Sequence, residues 1–504
     1  MCGIAGIWGS QDEDAVRRMM DVMRHRGPDA SGTYVDERRP GVLGHQRLSI
    51  MDPEGGDQPI LGGRDRLAIV GNGEIYNHRE LRETMPDAPY KTDSDTETAL
   101  HVYGREKEGT AEALDGMFAF AIADGGHLYA ARDHIGIKPL YFGRRGKALC
   151  FASELKALAG VAENVEALPP GSYFDSRHGV KRYYEVPDCQ PENRPAEAFV
   201  SELREVMERS VRKWMMSDVP IGSFLSGGLD SSLIAAMARR ELGELHTFAV
   251  GIEGSNDIEA ARHVAGHIGS IHHEHFITVA EVLEHLPEII YCLESFDADL
   301  VRSAIPTYFT SRLAAEHVKV IMTGEGADEL FAGYAYHKDI RNPLALHREL
   351  RRSITAMHNV NLQRVDRLTM AHSIEGRVPF LDKEMIDLSM RIPPQLKLPR
   401  GGDGPPMEKW VLRKAVEDLL PHDIVWRVKE QFDEGSGTVD LLTQEVERLM
   451  PSSEAEAYMK KFPEANLRSA EECAYHRILR ECFGGDNADA VVDNVGRWAE
   501  RPAA

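Results

Sequence analysis

Ser226–Ser232 reads SGGLDSS, and its setting decides the fold of the C-terminal half. An apolar run, VPIGSFL (Val219–Leu225), stops just before it, and a helical pattern, LIAAMARREL, starts just after. A strand that ends in glycines and opens a helix turns backbone N–H groups toward one point, a cradle for an anion such as phosphate. It is not the nucleoside-triphosphate loop GxxxxGK[ST], because no Lys stands in the required place. Outward from it come HTFAVGI (His246–Ile252), the amphipathic IEAARHVAGHI, and VKVIMTG (Val318–Gly324). Strand–helix alternation of this kind predicts a parallel α/β sheet. The last strand runs into GEGADE, which gathers Glu325, Asp328 and Glu329 in one turn. Clustered carboxylates suit the hard divalent cation that accompanies a triphosphate. Past about Tyr334 the pattern is mostly helical.

Before this region the texture differs. From Gly3 to about Tyr184, short apolar runs are broken by glycine: GIAGIWG, LAIVGNGEIYN, MFAFAIAD, LYAARD, PLYFG. These are strand lengths with turn punctuation, interrupted by helical stretches around Asp14–Met23 and Asp95–Glu106. The mix predicts a layered α+β unit. Polar, proline-bearing EVPDCQPENR (Glu185–Arg194) separates the two textures.

Cys2 follows only the initiator Met. Removal of Met before a small residue leaves a free α-amine on the thiol-bearing residue. That amine, with a reference pKa of about 7.8, can generate the reactive thiolate without a His. Behind Cys2, in order, stand MCGIAGIWG, RHRGPDASG, HQRLSIMD, GNGEIYN and SDTE. On these five segments the N-terminal part resembles the class II glutamine amidotransferases. The resemblance implies an Ntn-hydrolase-type αββα sandwich with Cys2 as nucleophile. Asn72 (side-chain amide) and Gly73 (backbone N–H) are then its oxyanion donors. It implies glutamine binding by Arg47, Leu48, Ser49, Ile50, Asn72, Gly73, Glu74 and Asp95, with Arg47 on the α-carboxylate and the two acids on the α-ammonium. Arg26 reads equally well as part of this site or as a structural ion pair at the domain face.

SGGLDSS resembles the PP-loop of ATP pyrophosphatases, which cleave ATP between the α and β phosphates. With GEGADE, EGRVPFLD (Glu375–Asp382), WRVKEQFDEGSG (Trp426–Gly437) and ECAYHRILRECF, the order of motifs resembles the glutamine-hydrolysing asparagine synthetases over almost the whole chain. That resemblance implies a two-domain protein: amidotransferase over 2–185, linker 186–198, a C-terminal α/β parallel-sheet PP-loop domain with a largely helical end over 199–485, and a tail 486–504. It implies ATP contacts at Leu225, Ser226, Gly227, Gly228, Asp230, Ser231, Val250, Thr323 and Gly324, and Mg²⁺ on Asp230 and Asp328. Glu325, Arg377 and Lys429 are the implied catalytic residues of acyl-adenylate formation, and Met117 the implied wall of an ammonia passage. The substrates are then glutamine, aspartate and ATP, and the expected assembly a homodimer. The alternative is a relative that amidates a different carboxylate.

Composition agrees with a soluble globular chain of more than one domain: 504 residues, 42% hydrophobic and 28% charged. Net charge −22 argues against nucleic-acid or anionic-membrane partners. Six scattered cysteines without a CxxC pair read as reduced cytoplasmic thiols, and no apolar run approaches a membrane span of about 18 residues. Two further features are set aside: HHEH (His272–His275) as a polar strand end, and Arg348–Arg352 as a solvated helix face.

Overall fold

The computed structural model describes residues 2–36, 38–62, 67–400, 406–427 and 445–497. Two six-stranded sheets stack in the N-terminal part. One runs, in spatial order, Glu163–Ala167, Tyr141–Arg145, Ala148–Ala152, Gly3–Trp8, Gly41–Arg47, Ala30–Asp36. The other runs Gly179–Arg182, Ser172–Asp175, His127–Arg132, Gly116–Asp124, Leu67–Ile75, Ile60–Gly62. Strand period two divides the side chains between layers. On Gly116–Asp124, Phe118, Phe120 and Ile122 pack under helix Asp95–Glu106, while Ala119, Ala121 and Ala123 face the other sheet. On the first sheet Ile4 and Trp8 point inward to those alanines. Ala5 and Ile7 meet Ala15, Val16, Met19 and Met20 of helix Glu13–Val22. Asp12 caps that helix by accepting from the Ala15 N–H at 2.9 Å, a cap worth about 1 kcal/mol. Small residues on one face and aromatic residues on the other give the αββα sandwich its thin middle. A phenylalanine at Ala121 would overpack it by roughly 1–3 kcal/mol.

After residues 185–195, which carry no regular element, helix Ala196–Trp214 leads into a third sheet. All its pairings are parallel, in the order Ile271–Phe276, His246–Gly251, Ile221–Phe224, Val320–Met322, Glu375–Arg377. From the central strand the chain turns first to one side and later to the other. That makes the carboxyl end of Ile221–Phe224 a topological switch point, where open α/β sheets place their ligands. Helices Val279–Leu293, Ala298–Ala314, Asn361–Met370 and Ala470–Phe483 pack together alongside. One reading needs correction: the Arg348–Arg352 stretch is not simply solvated. Arg351 Nε donates to the carbonyls of Val186 and Pro187 at 3.1 and 3.2 Å, so this helix holds the connecting segment in place. All six cysteines are free thiols.

Candidate active site

Two sites stand in this frame, one in each part. Cys2 directly precedes the strand Gly3–Trp8 and is 7% exposed. Its main chain is gripped at both ends. Its N–H donates to Asn72 Oδ1 at 3.0 Å, and its carbonyl accepts from Arg26 Nε at 3.0 Å. Sγ lies 3.9 Å from the Leu48 carbonyl. Burial pushes the thiol above its ordinary pKa, so the site needs a base to form thiolate. The other end of the Asn72 amide, Nδ2, is buried and has no hydrogen-bond partner among the described residues. A buried, unpaired donor costs about 1–3 kcal/mol and is poised for an anion. Next to it Gly73 sits at φ +134°, where a Cβ would stand 1.9 Å from the Met117 carbonyl, so only glycine fits.

Around this centre, Leu48 and Ile50 are buried, and the Ser49 N–H donates to Asp29 at 2.8 Å. Arg47 is buried with its guanidinium wrapped by the following loop: Asp57 at 2.7 Å and the carbonyls of Asp52 and Pro53 at 2.6 and 3.1 Å. Asp95 accepts from the Ile75 N–H at 2.6 Å, and burial pushes its carboxyl up to about 6. Glu74 is pushed well above the usual range by burial, then by the nearby Glu375 and Asp95 carboxylates. Two desolvated acids side by side make a pocket that gains from receiving a cation.

The second site is a cavity of about 260 Å³ at the carboxyl ends of the parallel strands, at the switch point. The loop after Ile221–Phe224 closes on itself through Ser226 and Ser231, whose hydroxyl oxygens are 3.1 Å apart. Gly324 presses the GEGADE loop against it, since a Cβ there would meet Ser231 N at 2.7 Å. Asp230 and Asp328 aim at one point, where Lys409 Nζ lies 2.5 Å from each. Arg364 Nη2 holds both oxygens of Glu325, at 2.7 and 2.8 Å. Behind them Glu329 is pushed up to about 8 by burial and by Asp328 and Glu325, and it accepts from Tyr334 and Asn361.

Of the residues expected here, Leu225, Ser226, Gly228, Asp230, Ser231, Val250, Thr323, Gly324, Glu325 and Asp328 line the cavity. Gly227 belongs to the same loop at φ +74°, turned against Ala260, and does not line it. Arg377 does not reach the cavity. It is wholly buried where the two halves meet, bonded to Glu375 at 2.7 Å and to the carbonyls of Trp214 and Met216, and 3.6 Å from Glu74. Lys429 lies outside the described residues. Sequence reading missed Lys409, Arg364, Asn361 and Arg427, all of which line the cavity. Lys409 takes a left-handed φ of +59° that no local pattern announces. HHEH also acquires neighbours: His273 stacks on His317 at 4.0 Å, and its Nε2 lies 2.9 Å from His246 Nδ1.

A buried thiol beside an open amide donor, joined to a parallel α/β sheet with a glycine-rich loop and a carboxylate-lined cavity at its switch point, fits a two-domain amidotransferase. The family model described as a glutamine amidotransferase domain matches residues 1–211, and the one described as asparagine synthase matches 202–344 and 338–499. Proteins named glutamine-hydrolysing asparagine synthetase are similar over nearly the full length. One from Arabidopsis thaliana is 39% identical over 98% of this chain and 89% of its own. One from Triphysaria versicolor is 38% identical over 97% and 87%. Asparagine synthetase B of Escherichia coli is 38% identical over 96% and 91%. The chain belongs to the glutamine-hydrolysing asparagine synthetase family.

Proposed function

We propose that the chain makes asparagine from aspartate, ATP and glutamine in two half-reactions. With Met1 removed, the Cys2 α-amine takes the thiol proton and the thiolate attacks the glutamine side-chain carbonyl. Asn72 Nδ2 and the Gly73 N–H receive the oxyanion; ammonia leaves, and water releases glutamate from the thioester. Glu74 and Asp95 hold the glutamine ammonium. Arg47 holds its carboxylate once its guanidinium exchanges loop carbonyls for the ligand.

In the cavity, ATP lies along the Leu225–Ser231 loop with Val250, Thr323 and Gly324 beside it. The aspartate β-carboxylate attacks the α-phosphorus and pyrophosphate leaves. Ammonia then attacks the acyl carbon of β-aspartyl-AMP and AMP leaves. Glu325, oriented by Arg364, faces this exchange, and Lys409 offers a cation to the phosphates, a part the sequence assigned to Lys429. Asp230 and Asp328 fit Mg²⁺: two carboxylates converge on a point already held by an ammonium, and their oxygens are the hard donors the ion prefers. When bound there, Mg²⁺ would neutralise charge on the phosphate oxygens.

Ammonia in water at neutral pH is protonated and not nucleophilic, so it travels inside. Met117 is wholly buried in one apolar cluster with Tyr76, Ile135, Ile137 and Trp214, beside Gly73 and at the meeting of the two halves. We place the passage wall there. A cytoplasmic homodimer is the proposed working form. No helix among the described residues is long and apolar enough to cross a membrane.

The observation that supports this reading best is the pairing of the open Asn72 donor at the thiol with a separate cavity where Asp230, Asp328 and Lys409 meet. Cys2→Ala tests it. Glutamine-dependent synthesis is expected to vanish while synthesis from ammonium salts persists; loss of both would end the division of labour. Pyrophosphate exchange over a panel of carboxylic acids tests the acceptor, with aspartate expected to give the signal.

A further inference from the structure

Arg26 is wholly buried, and its guanidinium makes three kinds of contact. Nε holds the Cys2 carbonyl at 3.0 Å, Nη1 meets Glu154 at 2.7 Å, and the fork closes on Asp366 with Nη1–Oδ2 at 2.8 Å and Nη2–Oδ1 at 3.1 Å. Asp366 belongs to the other domain, 340 residues away in sequence. It rides on helix Asn361–Met370, which also brings Asn361, Arg364 and Val365 to the cavity. Arg364 clamps Glu325 and Asn361 holds Glu329, while Arg367, next to Asp366, is paired with Glu294 at 2.9 Å. A bidentate guanidinium–carboxylate pair fixes distance and orientation together, and a helix of ten residues moves as one body. A shift of Arg364 with Glu325 therefore carries Asp366 with it. The main chain of Cys2, whose amine and thiol must meet, is held by Asn72 at one end and by Arg26 at the other.

We propose that Asp366 is a positioning residue for the thiol site, acting from the synthetase domain through Arg26, and that helix Asn361–Met370 couples occupancy of the cavity to the geometry of Cys2. The proposal rests on Cys2 being the glutaminase nucleophile and deepens that reading. Asp366→Asn keeps the shape and removes the charge.

The test measures glutamate release from glutamine, with and without ATP and aspartate, and ammonia-dependent pyrophosphate release, on the full chain. Wild type is expected to release glutamate faster when ATP and aspartate are present. Asp366→Asn is expected to lose about tenfold or more in kcat for glutamate release, with KM for glutamine within about threefold. It is also expected to lose the stimulation and to keep ammonia-dependent synthesis, which reports that the chain is folded. A fall in KM-linked binding alone, an unchanged kcat, or a wild type that shows no stimulation would overturn the proposal.

Arg26→Lys, alone and in the double variant, guards against a misfolded Asp366→Asn. If the two residues act as one unit, the double variant is no worse than the poorer single. Losses that multiply, or full activity in Arg26→Lys, would overturn it too. A wild-type chain that releases no glutamate, or a Cys2→Ala chain that still does, would instead overturn the nucleophile assignment.

Discussion

The thiol site and the cavity are built by opposite means. Cys2 is buried, tied at both main-chain ends, and faces an amide donor already in place. The cavity is formed by loops at strand ends, and its cationic and anionic groups currently satisfy one another through Lys409. Under the proposed function, the difference follows from what each site would stabilise. A small oxyanion is best met by neutral dipoles fixed in a dry place. A triphosphate brings several charges and needs room, together with partners that can exchange an internal ion pair for the ligand.

The sharpest way to break this contrast is Asn72→Ala. Removing a preorganised oxyanion donor costs about 10²–10³ in kcat, so glutamate release should fall by that much while ammonia-dependent pyrophosphate release stays level. Equal losses in both assays would mean that Asn72 supports the fold and not the oxyanion. Lys409→Met probes the other side. It leaves Asp230 and Asp328 facing each other without the ammonium, and ammonia-dependent synthesis should drop by about 10² with glutamate release unchanged in the absence of ATP. A loss confined to KM for ATP would make Lys409 a binding group only.

Acidity separates the sites as well. Asp95, with its carboxyl pushed up to about 6, is ionised above that pH and protonated below it. In its proposed part as partner of the glutamine ammonium it has to be ionised. KM for glutamine should therefore rise about tenfold from pH 7 to pH 5, and Asp95→Asn should abolish that rise. A flat profile would remove Asp95 from the glutamine site. The smallest effect is expected far from either centre. The exposed pair Arg209–Glu384, at 3.1 Å, should contribute at most about 1 kcal/mol, and Glu384→Gln should leave both rates within error.

Much of the architecture was legible in local pattern. The helix read at Asp95–Glu106 occupies those residues, and the one read at Asp14–Met23 lies at Glu13–Val22. The apolar run MFAFAIAD, read as a strand length, lies in the strand Gly116–Asp124, and SGGLDSS lies between a strand and a helix as its setting required. What stayed hidden depends on partners far along the chain. Nothing near Arg377 says that it turns to Trp214 and Met216 and not to the cavity, because a buried guanidinium goes where carbonyls need donors. Lys409 enters the cavity through a left-handed backbone turn, and Arg364 by lying on a helix face that meets Glu325. His317, in the turn before the strand Val320–Met322, stacks on His273, which is distant from it in the sequence.

The ion cluster at the seam between the domains has a consequence for modularity. Arg26, Glu154 and Lys156 on one side interlock with Asp366, Arg367 and Glu294 on the other, all of them buried. Separated, each half would bare a set of charges whose balance lies in the other, and breaking one such buried pair costs about 3–5 kcal/mol. The two catalytic units are thus not freely exchangeable parts. A recombinant that grafts a foreign amidotransferase domain onto this synthetase must import the matching charges with it, and a gene once fused in this way is held fused by its own seam.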